Sequence, residues 1–200
     1  MRPVLPLPGD IHPFTLDPDS GVVRWTRDGF GVLARQGLLD GQAHELVDGR
    51  IVRLETDAAL DWVVRRLARR LQSAHGMSAV RLRSPLALSA QSEPKPSLTV
   101  FRDPGFGGDR GRVPAGVDAL LVVDVRSGTD LLAGRIPVYS LGGVSEYWLV
   151  DLGSRTMARH RFPERSGYGL REVWGETQSV PGMGLDSREF RVCDILLSPV

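Results

Sequence analysis

The stretch from Ala119 to Val125 sets the strongest constraint on what this chain can fold into. It reads Ala119-Leu120-Leu121-Val122-Val123-Asp124-Val125, apolar at every position but one. A half-exposed strand alternates apolar and polar residues, so an unbroken apolar run predicts a central strand buried on both faces. Such a strand needs a sheet with other elements packed on each side. The exception, Asp124, is a carboxylate inside the run. Burying one is costly unless it is paired or bound to a metal.

The chain has 200 residues, enough to enclose such a sheet in one domain. Its 42% hydrophobic and 24% charged residues exclude wholesale disorder, collagen and coiled coil. No apolar run approaches the ~18 to 20 residues that span a bilayer. The start, Met1-Arg2-Pro3-Val4-Leu5-Pro6-Leu7-Pro8, lacks the apolar core of a secretory signal, so a soluble cytoplasmic protein is expected. A single cysteine, Cys193, excludes an internal disulfide framework and a cysteine-built zinc site. Net charge is +1, which by itself does not mark a nucleic-acid binder. Lys95 is the one lysine and asparagine is absent. That skew fits a GC-rich coding sequence, and it changes how an arginine in place of a lysine is read.

Proline-rich residues 1–25 read as an irregular arm, with a short strand at Val22–Trp25. Thr26 has the chemistry of an N-cap for a helix ending near Gly37. Asp48-Gly49 between two β-rich runs predicts a hairpin over His44 to Leu54. Leu60, Val63, Val64, Leu67 and Leu71 fall at helical spacing, predicting a helix over about 57–73 with a stop at Gly76. Strands are expected at about 78–88 and 97–102, and the Gly-rich stretch 103–116 reads as a loop. After the apolar strand come a helix over about 130–142, strands at 146–152, 155–162, 168–175 and 184–190, and a closing helix over 191–197. The order predicts a mixed α/β fold, residues 26–200 forming a curved mixed sheet flanked by helices.

Four segments then stand out together. They are Glu45-Leu46-Val47-Asp48-Gly49; Ser92-Glu93-Pro94-Lys95-Pro96-Ser97-Leu98; Leu121-Val122-Val123-Asp124-Val125-Arg126-Ser127; and Arg135 with Tyr139, followed by Gly143-Val144-Ser145-Glu146-Tyr147-Trp148-Leu149-Val150-Asp151. In this order the chain resembles the Uma-two family of restriction endonucleases, a branch of the PD-(D/E)XK nuclease superfamily, over about residues 26 to 197. The resemblance implies a restriction-endonuclease-like α/β fold, DNA as partner, and hydrolysis of phosphodiesters. It implies Mg²⁺, or Mn²⁺ in its stead, as cofactor if the chain is active. A homodimer is left open.

Phosphodiester hydrolysis of this type uses a divalent cation to polarise the phosphate and supply hydroxide, and such hard cations take carboxylate oxygens. The resemblance carries the hairpin glutamate onto Glu45, the strand glutamate onto Asp124 and the helix lysine onto Arg135. The aspartate of the PD pair falls on Ser97, and the histidine that opens the helix after the hairpin on Leu60. Glu45 and Asp124 are therefore the expected metal ligands. Arginine keeps the charge of lysine but does not give up its proton, and a serine hydroxyl is a poor Mg²⁺ ligand. Arg126 has the spacing of the final residue of a (D/E)-X-K triplet with Asp124, but reads more readily as a strand-end arginine reaching solvent.

Bland readings stand beside these. Glu45 can be a solvent-facing hairpin residue, and Arg135 a structural ion-pair partner of Asp124. Glu146, Tyr147 and Trp148 read as structural. The histidines lack ligand spacing, and Arg65, Arg66, Arg69 and Arg70 read as a solvated helix face sooner than a DNA stripe. Two functions follow: a metal-dependent DNA endonuclease with impaired activity, or an inactive nuclease-fold protein that binds nucleic acid or a protein partner. In either case Glu45, Ser97, Asp124 and Arg135 are expected to line one cleft at the edge of the central sheet, with weak or absent Mg²⁺ binding.

Overall fold

A computed structural model describes residues 12–17, 20–39, 41, 43–54, 57–107, 112–127, 134–182 and 189–196. Among these residues, six strands form the main sheet in the order β10-β9-β8-β7-β6-β5. They are β5 (Val80–Leu82), β6 (Leu98–Phe101), β7 (Ala119–Arg126), β8 (Glu146–Asp151), β9 (Thr156–Glu164) and β10 (Gly167–Gly175). The β7–β8 pair is parallel and the other neighbours are antiparallel. The parallel pair requires a crossover, and α3 (Arg135–Leu141) supplies it.

The apolar run is β7, and its alternate residues face two separate layers. Leu121, Val123 and Val125 pack with Trp148 and Val150 of β8 beneath α2 (Ala58–His75), which contributes Leu60, Val63, Val64, Leu67 and Leu71. Val122 points the other way, onto Tyr139 of α3, Tyr147 of β8 and Leu86. Asp124 follows Val122 by two residues and so emerges on this second, aromatic face. Asp57 caps α2, its side chain accepting from the Leu60 amide, and Gly76 ends it at φ +88°.

The hairpin forms as expected, from β3 (His44–Val47) and β4 (Arg50–Arg53). Asp48 and Gly49 at its tip have φ of +48° and +72°, the conformation of a two-residue turn that matches strand twist. Thr26 caps α1 (Arg27–Arg35) through the Gly29 amide.

Several expectations are corrected. The N-terminal arm is not wholly irregular: β1 (Phe14–Leu16) pairs with β2 (Val23–Trp25), while residues 1–11 lie outside the described set. The strand expected over 78–88 ends at Leu82, because Arg83 adopts φ +48° and Pro85 offers no amide to a ladder. The loop over 103–116 contains a 3₁₀ turn at Pro104–Gly107, with 108–111 outside the described residues. The helix after β7 is described only from Arg135, residues 128–133 being outside the described set. Pro137 sits in its first turn, where the missing amide would be unpaired anyway. The expected strand 184–190 falls mostly on undescribed residues; its end is β12 (Phe190–Arg191), paired with β11 (Ser179–Val180). The closing helix is a 3₁₀ turn at Val192–Asp194.

Candidate active site

The centre is built from three stretches far apart in sequence. The β3–β4 hairpin docks along residues 89–97, the Leu46 and Glu93 amides each donating to the other's carbonyl at 3.3 and 2.7 Å. That pairing brings Glu45 over the start of β6, where its Oε2 accepts from the Lys95 amide at 2.8 Å. Asp124 sits near the carboxyl end of β7, opposite Ser97, because Leu98 pairs with Val123. Arg135 opens α3 and reaches back between the two acids.

Asp124 accepts from four donors, one on Oδ1 and three on Oδ2. Its Oδ1 accepts from the Ser97 amide at 3.3 Å. Its Oδ2 accepts from the Tyr139 hydroxyl at 3.1 Å and the Tyr147 hydroxyl at 3.3 Å, with Arg135 Nη1 at 3.4 Å. The other guanidinium nitrogen, Nη2, donates to Glu45 Oε1. Relative exposure is 0% for Glu45, 3% for Asp124 and 6% for Arg135, so this is a buried ion triad of two anions and one cation.

Burial dominates the electrostatics. It pushes the Asp124 carboxyl up to about 6, held from going higher by the Ser97 amide and then by the hydroxyls of Tyr139 and Tyr147. Burial and the nearby Asp124 charge raise both tyrosines well above the ordinary phenol range, so they act as neutral donors. Behind Tyr147, His160 and Tyr168 extend the aromatic stack, with ring centroids 5.6 and 5.9 Å apart in turn. Burial, with Arg171 nearby, lowers His160 to about 4, so the imidazole is neutral at physiological pH.

The sequence-predicted residues separate as follows. Glu45, Asp124 and Arg135 come together. Ser97 is adjacent, but it offers Asp124 an amide rather than a hydroxyl: its Oγ accepts from the Val125 amide at 3.1 Å. Arg126 points elsewhere and pairs with Asp151 across the β7–β8 register, at 3.3 Å. The expected cleft at the sheet edge is instead a buried centre on an interior strand, flanked by β6 and β8. Leu60 lies in the apolar layer under α2. Glu93, which neighbours the site in sequence, pairs with Arg27 at 2.9 Å. On α2, Arg66 donates to the Asp194 carbonyl and stacks on Trp62, and Arg70 stacks on Phe190; these two hold the C-terminal segment.

Sequence reasoning missed the role of Tyr147, read as structural, and gave Tyr139 none. Val122 and Tyr147 are partners in the parallel β7–β8 pair, a register that places Tyr147 within reach of Asp124 and that no local sequence pattern announces.

The donors do not fit a divalent cation. Mg²⁺ requires about six oxygens in near-ideal octahedral array. Here the carboxylate oxygens of Glu45 and Asp124 face N–H and O–H donors, Ser97 beside them brings no carboxylate, and a guanidinium occupies the space between the acids. Among the described residues no cluster of three or more His, Cys, Asp or Glu is placed to hold a metal.

A putative nuclease belonging to DUF820 from Anabaena variabilis superposes with a TM-score of 0.61 over 76% of this chain and 89% of its own, at 14% identity. At that identity the likeness is one of fold. No curated protein matches the chain. The pattern of the Uma2 family, described as putative restriction endonucleases, matches residues 33–192, which takes in the hairpin, Ser97, β7, α3 and β8; the chain belongs to the Uma2 family.

Proposed function

We propose that this chain is a nuclease-fold protein that engages DNA but hydrolyses it poorly or not at all. The observation that carries the reading is the Arg135 guanidinium lodged between Glu45 and Asp124. Metal-assisted hydrolysis needs a cation with free coordination positions, on which phosphate and water can meet. A guanidinium supplies charge without such positions, and it does not release a proton to activate water. With both acids so occupied, the scaffold is left with a binding role. DNA is the ligand class that the family suggests, and a binding mode based on arginine–phosphate contacts would weaken steeply with salt.

The test is cleavage of supercoiled plasmid in Mg²⁺ or Mn²⁺, run beside a salt titration of duplex DNA affinity. The expected outcome is nicking no greater than that of Asp124→Ala, with salt-dependent DNA binding in both. Cleavage by the wild type that disappears in Asp124→Ala would replace this reading with an active metal-dependent endonuclease. Absence of DNA binding at low salt would remove DNA as the ligand.

A further inference from the structure

Two carboxylates that share a buried space repel one another, and each has lost its hydration. A cation must stand between them, or one of them must carry a proton. In this chain the cation is covalently attached. Arg135 projects from the first residue of α3, with Nη2 on Glu45 Oε1 and Nη1 3.4 Å from Asp124 Oδ2. Its Nε is buried without a hydrogen-bond partner among the described residues. The guanidinium head is thus held at its far end, by the two acids and by Tyr139, whose hydroxyl lies 3.4 Å from Nη1.

We propose that the Arg135 guanidinium is the resident cation of this centre, and that removing it creates a binding site for a free cation. The inference rests on the reading of Glu45 and Asp124 as a carboxylate pair bridged by positive charge. What faces the vacated space after removal is oxygen, Glu45 Oε1 and Asp124 Oδ2 with the hydroxyls of Tyr139 and Tyr147, while the Lys95 and Ser97 amides stay on the other oxygen of each acid. All-oxygen donors suit hard cations such as Mn²⁺ and trivalent lanthanides, while the vacated shape suits free guanidinium. The anchored cation also has a thermodynamic advantage, since its association is intramolecular and needs no ligand in solution. A free cation should therefore not compete in the wild type, however the acids are arranged.

The experiment compares wild type, Arg135→Ala, and Arg135→Ala with Asp124→Asn. Each is titrated with Tb³⁺, read as emission sensitised by Tyr139 and Tyr147, and melted with Mn²⁺ or millimolar guanidinium. The wild type is expected to give no saturable emission and no cation-dependent melting shift. Arg135→Ala is expected to melt lower than wild type and to gain saturable emission. Its melting point should rise by about 5 to 10 °C at a cation concentration of about 100 Kd. Adding Asp124→Asn should abolish both responses. Saturable Tb³⁺ emission from the wild type that is lost in Asp124→Asn would overturn the proposal, as would a folded Arg135→Ala that answers to no cation. Should Arg135→Ala be unfolded as isolated, it is expected to refold from urea when Mn²⁺ or guanidinium is added, and failure with both would also overturn it. Chelator-resistant plasmid cleavage by the wild type would refute the functional reading above while leaving the resident cation untouched.

Discussion

The carboxylate of Asp124 meets four donors, from Ser97, Arg135, Tyr139 and Tyr147, yet burial still sets its titration. Its carboxyl rises from 3.8 to about 6 in the folded protein. The folded state therefore binds a proton more tightly than the unfolded chain does. Stability from this group is fully present below about pH 4 and is lost as pH rises through about 6. The shift corresponds to about 3 kcal/mol at most. Asp124→Asn cannot ionise, so unfolding free energy of wild type minus that of the variant should fall by up to about 3 kcal/mol between pH 4 and pH 7. Urea titrations across that range check it, and a difference that is flat or rises with pH would contradict it. His160, lowered to about 4, titrates with the opposite sign: the unfolded chain takes up a proton that the folded form refuses as pH falls from about 6.5. Both proteins carry His160, so its contribution cancels in the difference.

Among the elements, the β3–β4 hairpin matters most to the centre, because it delivers Glu45. Its tip depends on Gly49, at φ +72°, where an added Cβ would lie 2.5 Å from Arg24 Cβ. Gly21 also has positive φ, +66°, but open space around it. Gly21→Ala should thus meet backbone strain alone, about 1 kcal/mol. Gly49→Ala should meet strain and collision together, about 2 kcal/mol or more in urea unfolding. Equal costs at the two positions would mean that the contact with Arg24 is not rigid. This hairpin was readable from Asp48-Gly49 alone, as α2 was from its leucine and valine spacing between Asp57 and Gly76. Each is fixed by local chemistry. The strand β1 was not readable, since its three exposed residues depend on pairing with β2 rather than on any pattern of their own. The early end of β5 was hidden because a positive φ at Arg83 leaves no mark in sequence. In the centre, the meeting of Glu45, Asp124 and Arg135 was legible only through the family pattern, because no periodicity links positions 90 residues apart. Burial of Asp124 and its pairing with Arg135 were both readable; the full set of donors around the two acids was not. It follows from side-chain directions: the Ser97 hydroxyl turned to a backbone amide, and two phenols turned inward.

For the molecule as a whole, the sheet separates an aliphatic layer under α2 from a polar-aromatic layer under α3, and the ion triad lies in the second. The family match, over residues 33–192, takes in elements of both layers, and the fold likeness extends over 76% of the chain. No described helix is long and apolar enough to cross a membrane. The centre's charge and closure agree with one another: an arginine stands between two acids, and all three are buried. A crystal of the wild-type protein soaked in Mn²⁺ and measured at the manganese absorption edge tests this most directly. The expected map has the Arg135 guanidinium between Glu45 and Asp124 and no anomalous peak there. A peak bridging those two carboxylates, with Arg135 displaced, would contradict it.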